Sequence, residues 1–223
     1  MERKQIHDIP KEERPAYHVS APTGWINDPN GFSIFQEQCH LFFQYHPFSK
    51  KWGPMHWGHC TSKDFIKWEY LPCALAPDKS YDEGGCYSGS AIEANGEHVL
   101  VYTGVIDRYL DDGFHYYRQV QCIAKGDGID YRKNEQNPVI TGESAPAGSS
   151  LEDFRDPKVW KEEDGYYLAA GSRSEDGSGQ ILLYRSQNLD QWEYVTVLDQ
   201  SRNQYGKMWE CPDFFPLGDK QIL

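Results

Sequence analysis

Ser62-Lys63-Asp64-Phe65-Ile66-Lys67-Trp68-Glu69-Tyr70 returns later in the chain as Ser186-Gln187-Asn188-Leu189-Asp190-Gln191-Trp192-Glu193-Tyr194. Between them lies a weaker copy, Lys125-Gly126-Asp127-Gly128-Ile129-Asp130-Tyr131. The Asp or Asn positions 64, 127 and 188 are separated by 63 and 61 residues, and each is followed four residues on by an aromatic. Short Asp and Asn side chains bond back to their own backbone and favour turns. Three turns at one spacing read as an internal structural repeat.

Other elements keep the same phase. Leu41–Tyr45, Val99–Thr103 and Tyr166–Ala170 read as second strands of each unit, and Gly58–Thr61, Val120–Ile123 and Ile181–Tyr184 as third strands. Helical periodicity is nearly absent, so the fold class is all-β. Units of about four strands at this length predict the blades of a β-propeller rather than a sandwich. The long period leaves room for Asp107–Gly113 and Gly142–Ser150, expected as loops over the axial face. Three blades are complete, and a fourth opens at Trp209-Glu210-Cys211-Pro212-Asp213-Phe214-Phe215, with Leu223 in its second strand. About three and a half blades leave sheet edges unpaired. Residues 1–223 are therefore expected to be the N-terminal piece of a longer protein, prone to self-association through those edges.

The charge balance narrows the partners. Lys+Arg 22 against Asp+Glu 34 gives a net charge of -12, which argues against nucleic acid, whose phosphates need a basic surface. No stretch approaches the roughly 18 apolar residues of a membrane helix, and Met1–Asp8 is charged with no apolar run behind it, unlike an export signal. The six cysteines show no CxxC pairing and read as reduced thiols of a cytoplasmic protein. His56-Trp57-Gly58-His59 lacks a third ligand at suitable spacing and reads as strand histidines, not a metal site. Aromatics at 14% suit stacking on neutral sugars, as well as ordinary core packing.

In a propeller the first strand of each blade runs nearest the axis, so the residues that open those strands can converge. Blade one opens within Trp25-Ile26-Asn27-Asp28-Pro29-Asn30-Gly31, where Pro29 pushes Asp28 toward extended geometry and Asn-Gly favours a turn. Blade two opens at Tyr87-Ser88-Gly89-Ser90, blade three at Arg155-Asp156-Pro157 and blade four at Glu210-Cys211-Pro212-Asp213. Carboxylates from three blades, Asp28, Asp156 and Glu210, are thereby expected to meet around the axis.

Trp25–Gly31, Phe154-Arg155-Asp156-Pro157 and Trp209–Asp213 resemble, in that order, the three signature motifs of glycoside hydrolase family 32. Further matches are Phe43-Gln44-Tyr45, Trp52–His59 and Tyr87–Ser90, the last with Tyr87 where many members carry Phe. The resemblance runs from about Ile6 to the chain end. It implies a five-bladed catalytic propeller followed by a β-sandwich, of which this chain would be the N-terminal portion without the last blades and the sandwich.

The implied activity is cleavage of terminal β-fructofuranosyl residues of sucrose, sucrose 6-phosphate or fructo-oligosaccharides by a retaining double displacement, with carboxyl groups roughly 5–5.5 Å apart. The resemblance makes Asp28 the nucleophile, Glu210 the acid/base, in a setting dried by aromatic rings, and Asp156 the stabiliser of the transition state. Arg155 would orient the acids or a hydroxyl. Asn27, Gln44 and Ser88 would supply neutral polar contacts, while Trp25, Trp52 and Tyr87 wall the pocket. No metal or organic cofactor is implied, and the partner is a small sugar. A related furanosidase acting on arabinans, or a truncated non-catalytic sugar-binding remnant, are the alternative readings. Cys211 reads as a small buried filler. A phosphate on the substrate would call for basic residues at the rim, for which Arg108, Arg173 and Lys207 lie in suitable loops.

Overall fold

The three turns of the repeat are built alike in the computed structural model, which describes residues 10–223. Asp64 Oδ1 accepts the backbone N–H groups of Ile66 and Lys67 at 3.0 and 2.7 Å. Asp127 Oδ1 does the same for Ile129 and Asp130 at 3.0 and 2.9 Å, and Asn188 Oδ1 for Asp190 and Gln191, both at 3.0 Å. The residue after the capping side chain takes a positive φ each time: Phe65 61°, Gly128 98°, Leu189 70°. The middle copy uses glycine, for which that conformation carries no steric cost. Met1–Asp8, whose charge speaks against an export signal, lies outside the described residues.

Each turn joins the third and fourth strands of a sheet. Blade one contains β1 (Trp25–Phe35), β2 (Gln38–His46), β3 (His56–Ser62) and β4 (Glu69–Leu75). Blade two contains β5 (Gly85–Ala94), β6 (Glu97–Tyr109), β7 (His115–Gly126) and β8 (Tyr131–Lys133). Blade three contains β9 (Phe154–Glu162), β10 (Gly165–Arg173), β11 (Gly179–Ser186) and β12 (Glu193–Gln200). In all three, every strand pairs antiparallel with its neighbour in sequence. A further hairpin, β13 (Phe215–Leu217) with β14 (Lys220–Ile222), starts the next unit. The expected second and third strands all fall inside β2, β6, β10 and β3, β7, β11. The chain is an all-β propeller of four-stranded blades.

Asp107–Gly113 corrects one expectation. Asp107–Tyr109 continues β6, and the segment is the end of a long hairpin with β7 rather than an axial loop. Gly142–Ser150 holds one short 3-10 turn, Gly142–Ser144, on the path from blade two to blade three.

Blade two is the middle layer, and its strands show why their apolar runs are continuous. Val99 and Val101 pack toward blade three with Ile123, Phe154, Leu168 and Tyr184. The alternate residues Leu100 and Tyr102 pack toward blade one with Phe42, Trp57 and Leu75. A strand covered on both faces loses the apolar–polar alternation of a half-buried one. Each such side chain taken fully from water contributes about 1.5–3 kcal/mol. The inner strands β1, β5 and β9 lie against one another in turn, which brings their N-terminal ends together.

Three histidines at the same layer boundary are tied together and to their neighbours. His40 Nδ1 and His59 Nε2 share a hydrogen bond of 3.0 Å, and His98 bonds Ser33 at 2.9 Å and Tyr131 at 2.7 Å. Residues 56 and 59 are an odd number of steps apart on β3 and so point to opposite faces. His56 packs on Phe48, while His59 stacks on Phe42. All six cysteines are free.

Candidate active site

Three inner strands each carry an extra residue against their partner near the end that opens the strand. Ile26 pairs with Tyr45 and Pro29 with Phe43, so Asn27 and Asp28 together face Gln44. Tyr87 pairs with Thr103 and Gly89 with Tyr102, leaving Ser88 as the extra residue of β5. Arg155 pairs with Gly171 and Lys158 with Ala169, so Asp156 and Pro157 face Ala170. Bulges of this kind re-aim a side chain and recur beside active sites. Here they turn Asp28, Ser88 and Asp156 toward one cleft. Pro29 and Pro157, which have no N–H for the ladder, fit the interruption in the pairing.

The cleft encloses about 600 Å³. Nine of the ten residues picked from the sequence line it: Asn27, Asp28, Gln44, Trp52, Tyr87, Ser88, Arg155, Asp156 and Glu210. Trp25 does not. It stands behind Asn27, with its indole Nε1 donating to Asn27 Oδ1 at 2.7 Å.

The three carboxylates have different surroundings. Asp28 is open to the cleft, and Ser88 Oγ donates to its Oδ2 at 3.0 Å. Asp156 is 6% exposed with φ 62°, a strained conformation for a residue with a Cβ. Its N–H donates to Thr103 Oγ1 at 2.9 Å, and its Oδ2 accepts the Cys211 N–H at 2.9 Å. Burial raises the Asp156 carboxyl above its ordinary range, with the Cys211 N–H and the Arg155 charge pulling the other way. Glu210 is not in the dry aromatic setting expected of it. Its side chain is 61% exposed, and its Oε1 accepts both Nε and Nη2 of Arg155 at 3.0 and 2.9 Å.

Arg155 links the groups. Its Nη1 donates to Gln119 Oε1 and Asp153 Oδ1, both at 3.1 Å. Burial alone would lower the guanidinium, and the Asp153 and Glu210 carboxylates more than offset that, raising it. Tyr87 is raised by burial and by the facing Tyr117 hydroxyl, and Gln44 Nε2 is held by the Cys86 carbonyl at 3.0 Å.

Cys211 is not a buried filler. The residue is exposed with φ 48°, and desolvation around its sulfur together with the Asp156 carboxylate pushes the thiol up to about 12. Its backbone N–H and, at 3.6 Å, its Sγ both reach Asp156 Oδ2. The cleft also contains Met55, Tyr117, Gln119, Glu152 and Asp153, which are not among the site residues expected from the sequence. Tyr117 and Gln119 alternate on β7 ahead of the third-strand run Val120–Ile123, and period two is the signal in the sequence that marks them.

Glu210 is placed by close backbone approach. Gly171 and Gly179 have no side chain where Trp209 passes. A methyl group on Gly171 would stand 2.0 Å from the Trp209 carbonyl oxygen, and one on Gly179 2.8 Å from the Trp209 indole. Trp209 Nε1 closes the loop by donating to the Tyr205 carbonyl at 2.8 Å.

Fold and cleft define a β-propeller with three acids gathered at one end of its axis, Asp28 and Asp156 from the inner strands of blades one and three and Glu210 from the stretch that follows blade three. The model of the glycosyl hydrolases family 32 N-terminal domain matches residues 18–223, and the chain belongs to that family. It is 46% identical over 225 residues to a sucrose-6-phosphate hydrolase of Zymomonas mobilis, covering 96% of this chain and 43% of that protein. It is 45% identical over 209 residues to a raffinose invertase of Escherichia coli, covering 92% of this chain and 42% of that one. Among solved structures, a Bombyx mori family 32 beta-fructofuranosidase is 44% identical with a TM-score of 0.84, over 98% of this chain and 44% of that chain. A mutant of that enzyme in complex with sucrose gives 45% identity and a TM-score of 0.83, over 93% of this chain and 42% of that one. The chain thus spans less than half the length of these relatives.

Proposed function

We propose that this chain is the N-terminal portion of a catalytic propeller that hydrolyses terminal β-fructofuranosides, sucrose among them, with retention of configuration. The observation that carries the reading is the convergence on one cleft of Asp28 and Asp156, each at a bulge of its inner strand, with Glu210, held beside them by the close approach of Trp209 to Gly171. One oxygen of Asp28 is engaged by Ser88, and the other is left to attack the anomeric carbon. As the new C–O bond forms, the bond to the leaving oxygen breaks and Glu210 delivers a proton to that oxygen. Water then attacks the same carbon, Glu210 takes its proton, and the ester to Asp28 is cleaved.

Asp156, held from behind by Thr103 and Cys211, is placed to bond ring hydroxyls more strongly in the transition state than in the ground state. Arg155 is always charged and sets the Glu210 carboxyl by two donors. Trp52 and Tyr87, edge to face at 6.0 Å, wall the sugar. Six free thiols support a reducing, cytoplasmic setting, and among the described residues no helix is long and apolar enough to cross a membrane.

The test is release of glucose and fructose from sucrose by the purified protein, with Asp28→Asn alongside. Loss of about 1,000-fold or more in the variant is expected for a nucleophile. Sucrose hydrolysis that survives in Asp28→Asn would overturn the assignment.

A further inference from the structure

The β6–β7 hairpin is longer than its counterparts. β6 has 13 residues and β7 has 12, whereas β2 and β10 have 9 each, β3 has 7 and β11 has 8. Four extra residues extend a strand by roughly 13 Å. Blades one and three pack without such an extension, so blade packing does not account for it.

Its register says which way it faces. Cross-strand partners share a face, and so do alternate residues along each strand. Val105 pairs with Gln119, Asp107 with Tyr117, and Tyr109 with His115. Gln119 and Tyr117 line the cleft, so His115, Asp107 and Tyr109 continue the same wall outward.

That wall is a run of rings. Tyr117 and His115 have centroids 6.1 Å apart, and His115 stacks on Tyr109 at 4.7 Å and 18°. His115 Nε2 is held by Asp107 Oδ1 at 2.7 Å, which fixes the imidazole plane against Tyr109. Tyr109 is nevertheless 74% exposed, with Leu110 and Phe114 exposed beside it. On the cleft side the run meets Tyr87 and Trp52. Rings lying bare along the mouth of a binding cleft mark a binding surface rather than a packing one.

Charge says what kind of ligand fits. The cleft is lined by Asp28, Glu152, Asp153, Asp156 and Glu210 against a single guanidinium, Arg155, which Asp153 and Glu210 already engage. Arg108 is paired with Glu83 at 2.7 Å and Arg173 with Asp153 at 2.8 Å, and neither lines the cleft. The surroundings favour an uncharged ligand with apolar faces.

We infer that the cleft-facing side of the β6–β7 hairpin, Tyr117, His115 and Tyr109, is a platform for the outer residues of a neutral fructo-oligosaccharide whose terminal unit occupies the cleft. This rests on the fructosidase reading above for the terminal unit. The platform itself makes longer chains better ligands than sucrose and leaves the disaccharide indifferent to Tyr109 and His115.

The experiment is calorimetric titration of the intact Asp28→Asn protein with sucrose and with a β-2,1-linked fructan tetrasaccharide. Both are repeated in the same background carrying Tyr109→Ala and His115→Ala. Two stacked rings are expected to give the tetrasaccharide about a tenfold advantage over sucrose. The double substitution is expected to remove that advantage and leave sucrose affinity unchanged. A tetrasaccharide that binds no better than sucrose, or equally well with and without the two rings, overturns the platform. Sucrose hydrolysis by the Asp28 protein carrying only Tyr109→Ala and His115→Ala separates the two readings. Hydrolysis at the parent rate, with no tetrasaccharide advantage in the Asp28→Asn protein that keeps Tyr109 and His115, sinks the platform alone. A tetrasaccharide advantage without any hydrolysis supports the platform and sinks the proposed reaction.

Discussion

Gly171→Ala is the substitution that most directly tests how Glu210 is placed. The φ of Gly171 is ordinary, so the backbone itself tolerates alanine. The obstacle is the Trp209 carbonyl oxygen, 2.0 Å from where the new methyl would stand. Contacts between a C–H group and a carbonyl settle at roughly 3.3 Å, so Trp209 must retreat by about 1.3 Å, and Glu210 is the next residue. A displacement of about 1 Å at a catalytic group costs on the order of 100-fold in rate. Overpacking costs about 1–3 kcal/mol of stability, a fall in Tm of only some 2–4 °C per kcal/mol in a chain of this size. Sucrose hydrolysis well below the melting temperature should therefore show kcat/KM reduced by about two orders of magnitude, with most of the loss in kcat. A variant within about threefold of the parent would show that this contact does not position Glu210.

Three further outcomes follow from the packing. Thr103→Val keeps the shape but removes the acceptor for the Asp156 N–H and the donor to Gln121 Oε1, both at 2.9 Å in a fully buried place. The expected loss is about 2–3 kcal/mol in urea unfolding at unchanged m-value, and a change below about 0.5 kcal/mol would refute it. Lys133 bonds the fully buried Asp82, which also accepts from Tyr102, so Lys133→Met strands a charge and should cost about 3–5 kcal/mol. Adding Asp82→Asn should recover much of that loss, and no recovery would count against a stranded charge as the cause.

The third outcome concerns pH. Burial holds His59 and His98 near 3, and lowers His40 as well. Below about pH 6.5 the unfolded chain binds protons at these sites that the folded chain does not, so stability is lost as pH falls. Once the unfolded histidines are fully charged, each contributes a loss of roughly 1.4 kcal/mol per pH unit. Asp156, raised by burial, works in the opposite sense and costs stability as pH rises. Urea midpoints unchanged from pH 7 down to pH 5 would exclude the histidine effect.

The repeat was legible because its cause is local. A capping Asp64, Asp127 or Asn188 closes a turn with backbone groups two and three residues away, and that chemistry is written in consecutive letters. Strand order followed, since short connections pair neighbours in sequence. The positions of Asp28, Ser88 and Asp156 could be inferred once the repeat supplied the phase, and the Asp-Pro pairs at 28–29 and 156–157 stand at two of the bulges.

What remained hidden depends on residues distant in the chain. That Trp25 stands behind Asn27 and that β7 reaches far enough to bring Tyr117 to the cleft depend on how each strand pairs with its neighbour, which local patterning alone does not fix. Glu210 carries no sign of being exposed and bound to Arg155, because that pairing joins blade three to the strandless stretch that follows it. The sequence by itself determined the all-β blade repeat and that Asp28 and Asp156 stand at the openings of inner strands, through turn chemistry and period-two patterning. Only the tertiary structure decided how those acids are surrounded, which ones are buried, and which wall extends the cleft, because these follow from packing one blade against the next.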